Sequence, residues 1–172
     1  MKASERREKI LQFFRERSGP VSASVLAAHF DVSRQIIVGD VALLRAQGAQ
    51  IAATPRGYVF HEEAENGMLC QVACLHDGAH MEEELQICVD MGCSVENVIV
   101  EHPVYGQLTG ELQLHSRYDV QQFLEKVRAQ SVHSLSELTD GIHIHTLRCP
   151  SEEAFARVCK ELKQRGFLLD EE

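Results

Sequence analysis

The chain has no tryptophan, 6% aromatic residues and four prolines in 172 residues. So few π faces leave no sign of a single-strand stacking surface. No apolar run approaches the roughly 20 residues that a membrane-spanning helix needs, so no membrane association is expected. The N-terminus, MKASERREKIL, is charged and has no apolar signal core, so the chain is expected in the cytoplasm. The cysteines, at 70, 74, 88, 93, 149 and 159, form no CxxC pair. In a reducing compartment they read as small buried hydrophobes rather than disulfides or a thiolate cluster. There is no HExxH either, and no acid-base residue stands apart from the possible ligands, so an enzyme is not expected.

What is present is divided by charge. Residues 1–60 hold nine Lys and Arg against five Asp and Glu, and residues 61–172 hold eight against twenty-one. A cationic head can be held on a duplex by phosphate attraction while an acidic body does something else. Two domains are expected, at 1–62 and 67–172, separated by a polar joint over 61–67.

The head reads as a winged helix-turn-helix. Ile10, Leu11, Phe13 and Phe14 put apolar bulk on one face of a first helix that Gly19-Pro20 ends. Ser22 caps a short helix over 23–30, Asp31-Val32-Ser33 is the turn, and Ser33 caps a third helix over 34–47. Ile37, Val41 and Leu44 of that helix face the core. Its polar start makes Ser33, Arg34 and Gln35 candidate DNA contacts. Residues 49–60 alternate around Thr54-Pro55-Arg56-Gly57, a wing with Arg56 as a further candidate contact. Gly39, inside the third helix, is an oddity that costs about 1 kcal/mol of helix stability relative to Ala.

The body is expected to be α+β, with strands over 68–75, 95–101, 108–115 and 142–147 and helices over 79–91, 120–129 and 151–165. This β-α-β-β-α-β-α order makes a two-layer sandwich with helices on one side of a sheet. The other face must be covered, and a second subunit is one way to cover it. His143 and His145, two apart on a strand, project to one side. His76 ends the first strand, and His80 and Glu84 are four apart on the next helix. Three imidazoles and a carboxylate suit zinc, nickel or ferrous iron.

HDGAHMEEEL at 76–85, VIVEHPVYGQLTGEL at 98–112, GIHIHTLRCP at 141–150 and LKQRGFLL at 162–169 stand in that order behind VSASVLAAHFDVSRQIIVGDVALLRAQG and ATPRGYVF. Together these blocks resemble the NiaR-type transcriptional repressors, niacin-responsive regulators of NAD metabolism in which a three-histidine domain follows a winged helix-turn-helix. The resemblance implies an HPr-like open-faced sandwich, a homodimer and a divalent metal, with nickel or zinc in view. It places that metal on His76, Glu84, His143 and His145, with His80 the competitor for the first position and Glu83 for the second. It also puts His102, with Tyr105 beside it, near the ligand, nicotinic acid or nicotinamide, or at the subunit contact, while from the residues alone His102 reads equally as a turn-stabilising histidine before Pro103. The function it implies is repression of NAD-synthesis or niacin-uptake genes on double-stranded operator DNA, with the vitamin as co-repressor. A metal-responsive regulator without a vitamin effector, or a small metalloenzyme, would use the same residues.

Overall fold

The computed structural model describes residues 1–61, 67–131 and 133–169, in two compact units, Met1–Glu65 and Asn66–Glu172. Most of the expected joint, 62–66, lies outside the described residues.

In the first unit, helices α1 (Ala3–Arg15), α2 (Ala23–Phe30) and α3 (Arg34–Ala46) are followed by a hairpin of β1 (Ile51–Thr54) and β2 (Gly57–Phe60). Both predicted caps form: Ser22 Oγ accepts from the Val25 amide at 3.2 Å, and Ser33 Oγ from the Ile36 amide at 3.3 Å. Helix α1 ends at Arg15, ahead of Gly19-Pro20. Ile10, Phe14, Leu26, Ile37, Val41 and Leu44 close the core. One acid is buried with them. Asp40 takes Arg6 Nε at 2.6 Å and Arg7 Nη1 at 3.5 Å, so two of the head's cations are spent on its own interior. Val21 lies along the wing, exchanging backbone hydrogen bonds with Tyr58 at 2.9 and 2.8 Å. Gly57, at φ +129°, makes this possible, since a Cβ there would sit 2.7 Å from the Val21 carbonyl carbon.

The second unit contains β3 (Met68–Leu75), α4 (Met81–Asp90), β4 (Ser94–His102), β5 (Gly106–Leu114), α5 (Arg117–Gln130), β6 (Ile142–Cys149) and α6 (Glu152–Gln164). This is the expected β-α-β-β-α-β-α order of an HPr-like sandwich. The four strands are antiparallel in the order β3-β6-β4-β5, so the last strand sits inside the sheet. Val72, Val95, Leu114 and Leu147 pack on one face of the sheet with Leu85, Val120, Val158 and Leu162 of the helices. On the opposite face Leu69 is 59% exposed, and Leu75 and Ile142 are also open to solvent.

Three local departures from the expected elements bear on the site. The helix expected over 79–91 begins as a 3₁₀ turn, Gly78–His80, capped by Asp77, and becomes α-helical only at Met81. Helix α5 starts three residues earlier than its apolar periodicity suggests, because Ser116 Oγ accepts from the Asp119 amide. A second 3₁₀ turn, Leu135–Thr139, is held by a Ser134–Glu137 capping box in a stretch with no apolar period. Beyond α6, Leu75 N–H donates to Phe167 O at 2.8 Å and Leu169 N–H to Ala73 O at 2.9 Å, so the chain's end covers the outer edge of β3.

Candidate metal centre

The period of two along β6 turns His143 and His145 toward the helices, and the β3–β6 register sets Cys74 directly opposite His143. His76 follows β3 by one residue. Helix α4 crosses above with Glu84, whose side chain is 1% exposed. Glu84 Oε2 is 2.5 Å from His76 Nε2, while Oε1 is 3.0 Å from His143 Nε2 and 3.1 Å from His145 Nε2.

The other nitrogen of each ring settles its protonation. Nδ1 of His76 lies 2.7 Å from Asp77 O, Nδ1 of His143 2.8 Å from Gly141 O, and Nδ1 of His145 2.8 Å from Asn97 O. A carbonyl can only accept, so all three Nδ1 atoms carry and donate a proton. Two devices supply the second and third of these carbonyls. A bulge between Val95 and Asn97 lies beside the Asn97 carbonyl. Gly141, at φ +92°, carries another and passes so close to His76 that a Cβ would sit 2.5 Å from the His76 carbonyl oxygen.

With Nδ1 protonated, each Nε2 either presents a lone pair to the Glu84 carboxylate or carries a second proton. Neutral rings would set lone pairs against a buried anion. Three imidazolium rings would leave two uncompensated positive charges. A divalent cation removes the conflict, because all three rings can stay neutral and give it their Nε2 lone pairs. Imidazole donors fixed through Nδ1 to backbone carbonyls are what such a site requires. The donor set therefore fits a metal. The electrostatics without one point the same way. Burial opposes charge on Glu84, yet the charge of His145 and the hydrogen bonds from the three rings hold its carboxyl well below the usual range. Burial also opposes charge on His76 and His145, and Glu84 outweighs it, raising both.

Cys74, Glu84 and His143 form a candidate metal cluster, with one ligand atom from each lying within 4.8 Å of the others. From sequence alone Cys74 reads only as a buried hydrophobe. Only the strand register, invisible in sequence, puts its sulfur opposite His143. Burial, with Glu84 beside it, pushes its thiol up, so in the absence of a cation it is protonated.

Of the competing residues, His80 instead meets Asp77 Oδ1 at 2.5 Å and is half-exposed, while Glu83 is paired with Arg165 at the surface. A cavity of about 400 Å³ opens beside the centre, lined by His76, Asp77, Ser136, Glu137, Asp140 and Gly141 among others. His102 and Tyr105 do not line it. They sit at the β4–β5 turn, where His102 Nδ1 accepts from the Val104 and Tyr105 amides at 3.1 and 3.2 Å and Tyr105 is 75% exposed. In the head, Ser33, Arg34 and Gln35 are exposed at the start of α3, and Arg56 is half-buried in the wing turn.

Two family models match: the 3H domain over residues 70–171 and an HTH domain over residues 6–59. The chain is 40% identical over 173 residues to the transcription repressor NadR of Bacillus subtilis, covering 96% of this chain and 94% of that protein. It is also 40% identical over 167 residues to the probable transcription repressor NiaR of Thermotoga maritima, covering 97% and 95%. A DNA-binding head and a histidine-rich body, matched over nearly their whole length by two repressors of the same build, make the chain a member of the NadR/NiaR family of transcription repressors.

Proposed function

We propose that this repressor acts on genes of NAD synthesis or niacin uptake, as a homodimer, with nicotinic acid or nicotinamide as co-repressor beside a nickel or zinc ion. The observation that carries the metal half is the convergence of three Nδ1-anchored imidazoles on one buried carboxylate. His76, Glu84, His143 and His145 hold the ion, with Cys74 at its edge. When bound, it supplies a positive centre for a ring nitrogen or carboxylate.

The cavity beside His76 is the ligand site we favour over the hairpin of His102 and Tyr105. Asp77, Glu137 and Asp140 line it, so a nicotinate anion is welcome only when the centre's positive charge offsets them. Asp77 and Glu137 are also tied to His80 and His133, which limits their repulsion. The open sheet face around Leu69, Leu75 and Ile142 supports dimerisation. Two α3 helices in one dimer would meet successive major grooves roughly 34–36 Å apart, with Gln35 toward the bases and Arg34 and Arg56 on the backbone.

The test is fluorescence-polarisation titration onto labelled duplex from the chain's own niacin and NAD promoters, at fixed salt, with metal and nicotinate added or withheld. Tightening that needs both, and its loss in His143→Ala with metal content lost in parallel, is the expected result. Specific binding indifferent to nicotinate and nicotinamide would leave a metal-responsive regulator, and unchanged metal in His143→Ala would remove the assigned centre.

A further inference from the structure

The outward face of α3 is poor in hydrogen-bonding groups. Ile37, Asp40, Val41 and Leu44 are buried, and the opposite side carries Gln35, Ile36, Gly39, Ala42, Leu43 and Ala46, all exposed. Ile36 is 43% and Leu43 50% exposed, one above the other two turns apart. Gln35 is the single polar side chain of this strip. The acid of α3, Asp40, is buried against Arg6 and Arg7, so the exposed charges of the helix are Arg34 and Arg45, both cations. An aliphatic strip edged by cations and free of exposed acid suits the major groove, where the duplex offers apolar thymine methyls between two phosphate rails.

Gly39 belongs to the same argument. A glycine weakens a helix interior relative to alanine, and no neighbour among the described residues asks for it, since a Cβ there would meet nothing within 4 Å. The missing side chain leaves the helix backbone open from outside, in the middle of the strip.

Resting on the DNA-binding reading, we propose that α3 reads its half-site as A·T pairs. Ile36 and Leu43 pack on thymine C5-methyl groups, Gln35 makes its paired hydrogen bonds to an adenine edge, and Gly39 lets the backbone seat deeply enough for both. The specificity of this repressor then resides in methyl groups and groove depth more than in arginine–guanine contacts, with Arg34 and Arg45 on phosphate.

The experiment selects tight-binding duplexes from a random pool with the full-length chain, with and without nickel and nicotinate, and resynthesises the winners with deoxyuridine for thymidine. Uracil keeps every hydrogen-bonding group and lacks only the methyl. Fixed A·T positions are expected, with affinity falling roughly fourfold for each contacted methyl removed, as for one buried methylene. The double variant Ile36→Ala/Leu43→Ala, at half-exposed positions where alanine favours the helix, should stay folded and bind the thymine and uracil duplexes alike. Gly39→Leu should lose specific binding while melting no lower. A selected duplex that binds equally well with uracil, or consensus positions that are G·C, overturns the proposal and leaves DNA binding intact. Failure to select any duplex over competitor DNA removes the DNA reading and the proposal together.

Discussion

Replacing Glu84 by glutamine tests the centre most sharply, because it changes one charge at nearly constant volume. In the wild type the buried carboxylate faces three Nε2 atoms at 2.5 to 3.1 Å, an arrangement that asks for a cation. An ion at a hundred times its dissociation constant stabilises the folded state by about 2.7 kcal/mol. In a body of this size each kcal/mol moves the midpoint by roughly 4–8 °C, so chelation should lower its unfolding transition by about 10–20 °C. The Glu84→Gln protein should lack that response. Its amide can donate to a neutral ring, so the metal-free variant should match or exceed the chelated wild type. Calorimetry of the full chain with EDTA, nickel and zinc reads this directly, and the two compact units permit two transitions. A variant that shifts with nickel as far as the wild type would refute the electrostatic argument, as would a wild type whose transitions ignore the chelator.

Stability of the body should depend on pH with opposite signs in its two states. Without metal, His76 and His145 sit above 6.5, so their contribution is full below 6.5 and is lost as pH rises through their folded values. Glu84, held below 4.5, contributes above that value and fades on acidification, so the chelated body should be most stable between the two. With metal the slope above pH 6 should reverse, because protons compete for the same nitrogens; parallel pH profiles in urea melts would contradict this. Asp40→Ala should cost the head about 2–4 kcal/mol, a discounted figure for part-exposed arginines, and a loss under roughly 0.5 kcal/mol in urea unfolding would show the pair to be idle. His102→Ala should lose about 1 kcal/mol through the β4–β5 turn and leave nickel content and nicotinate response unchanged, and a lost nicotinate response would return His102 to the ligand site.

The parts of this fold that were legible in sequence are those decided locally. Ser22 and Ser33 cap helices within three residues of themselves, and the period of two along β6 necessarily pairs His143 with His145. The choice between His76 and His80 was not local in that sense. It turns on Asp77 capping a 3₁₀ turn that delays α4 by two residues and sends His80 outward. Glu83 and Glu84 differ by one helical step, and only the packing of α4 on the sheet decides which is buried. Cys74 is visible as a partner only after β3 and β6 are in register. Asp40 was hidden differently, since a charge count adds Arg6 and Arg7 to the basic head while the fold cancels them from within.

The sheet order gives the centre a topological role as well as a chemical one. Glu84 and His143 meet across 59 residues of chain, and His76 hangs from the strand at the sheet's edge while β6 runs inside it. An ion held by all of them is a reversible cross-link. In the loop-closure picture a covalent tie spanning that length removes about 4 kcal/mol of unfolded-state entropy. A metal tie of similar reach can be made after the chain has assembled and undone without bond cleavage. It would fasten α4 and the edge strand to the sheet's interior, so a protease added to the chelated protein should find its first cuts in the segment between β3 and α4.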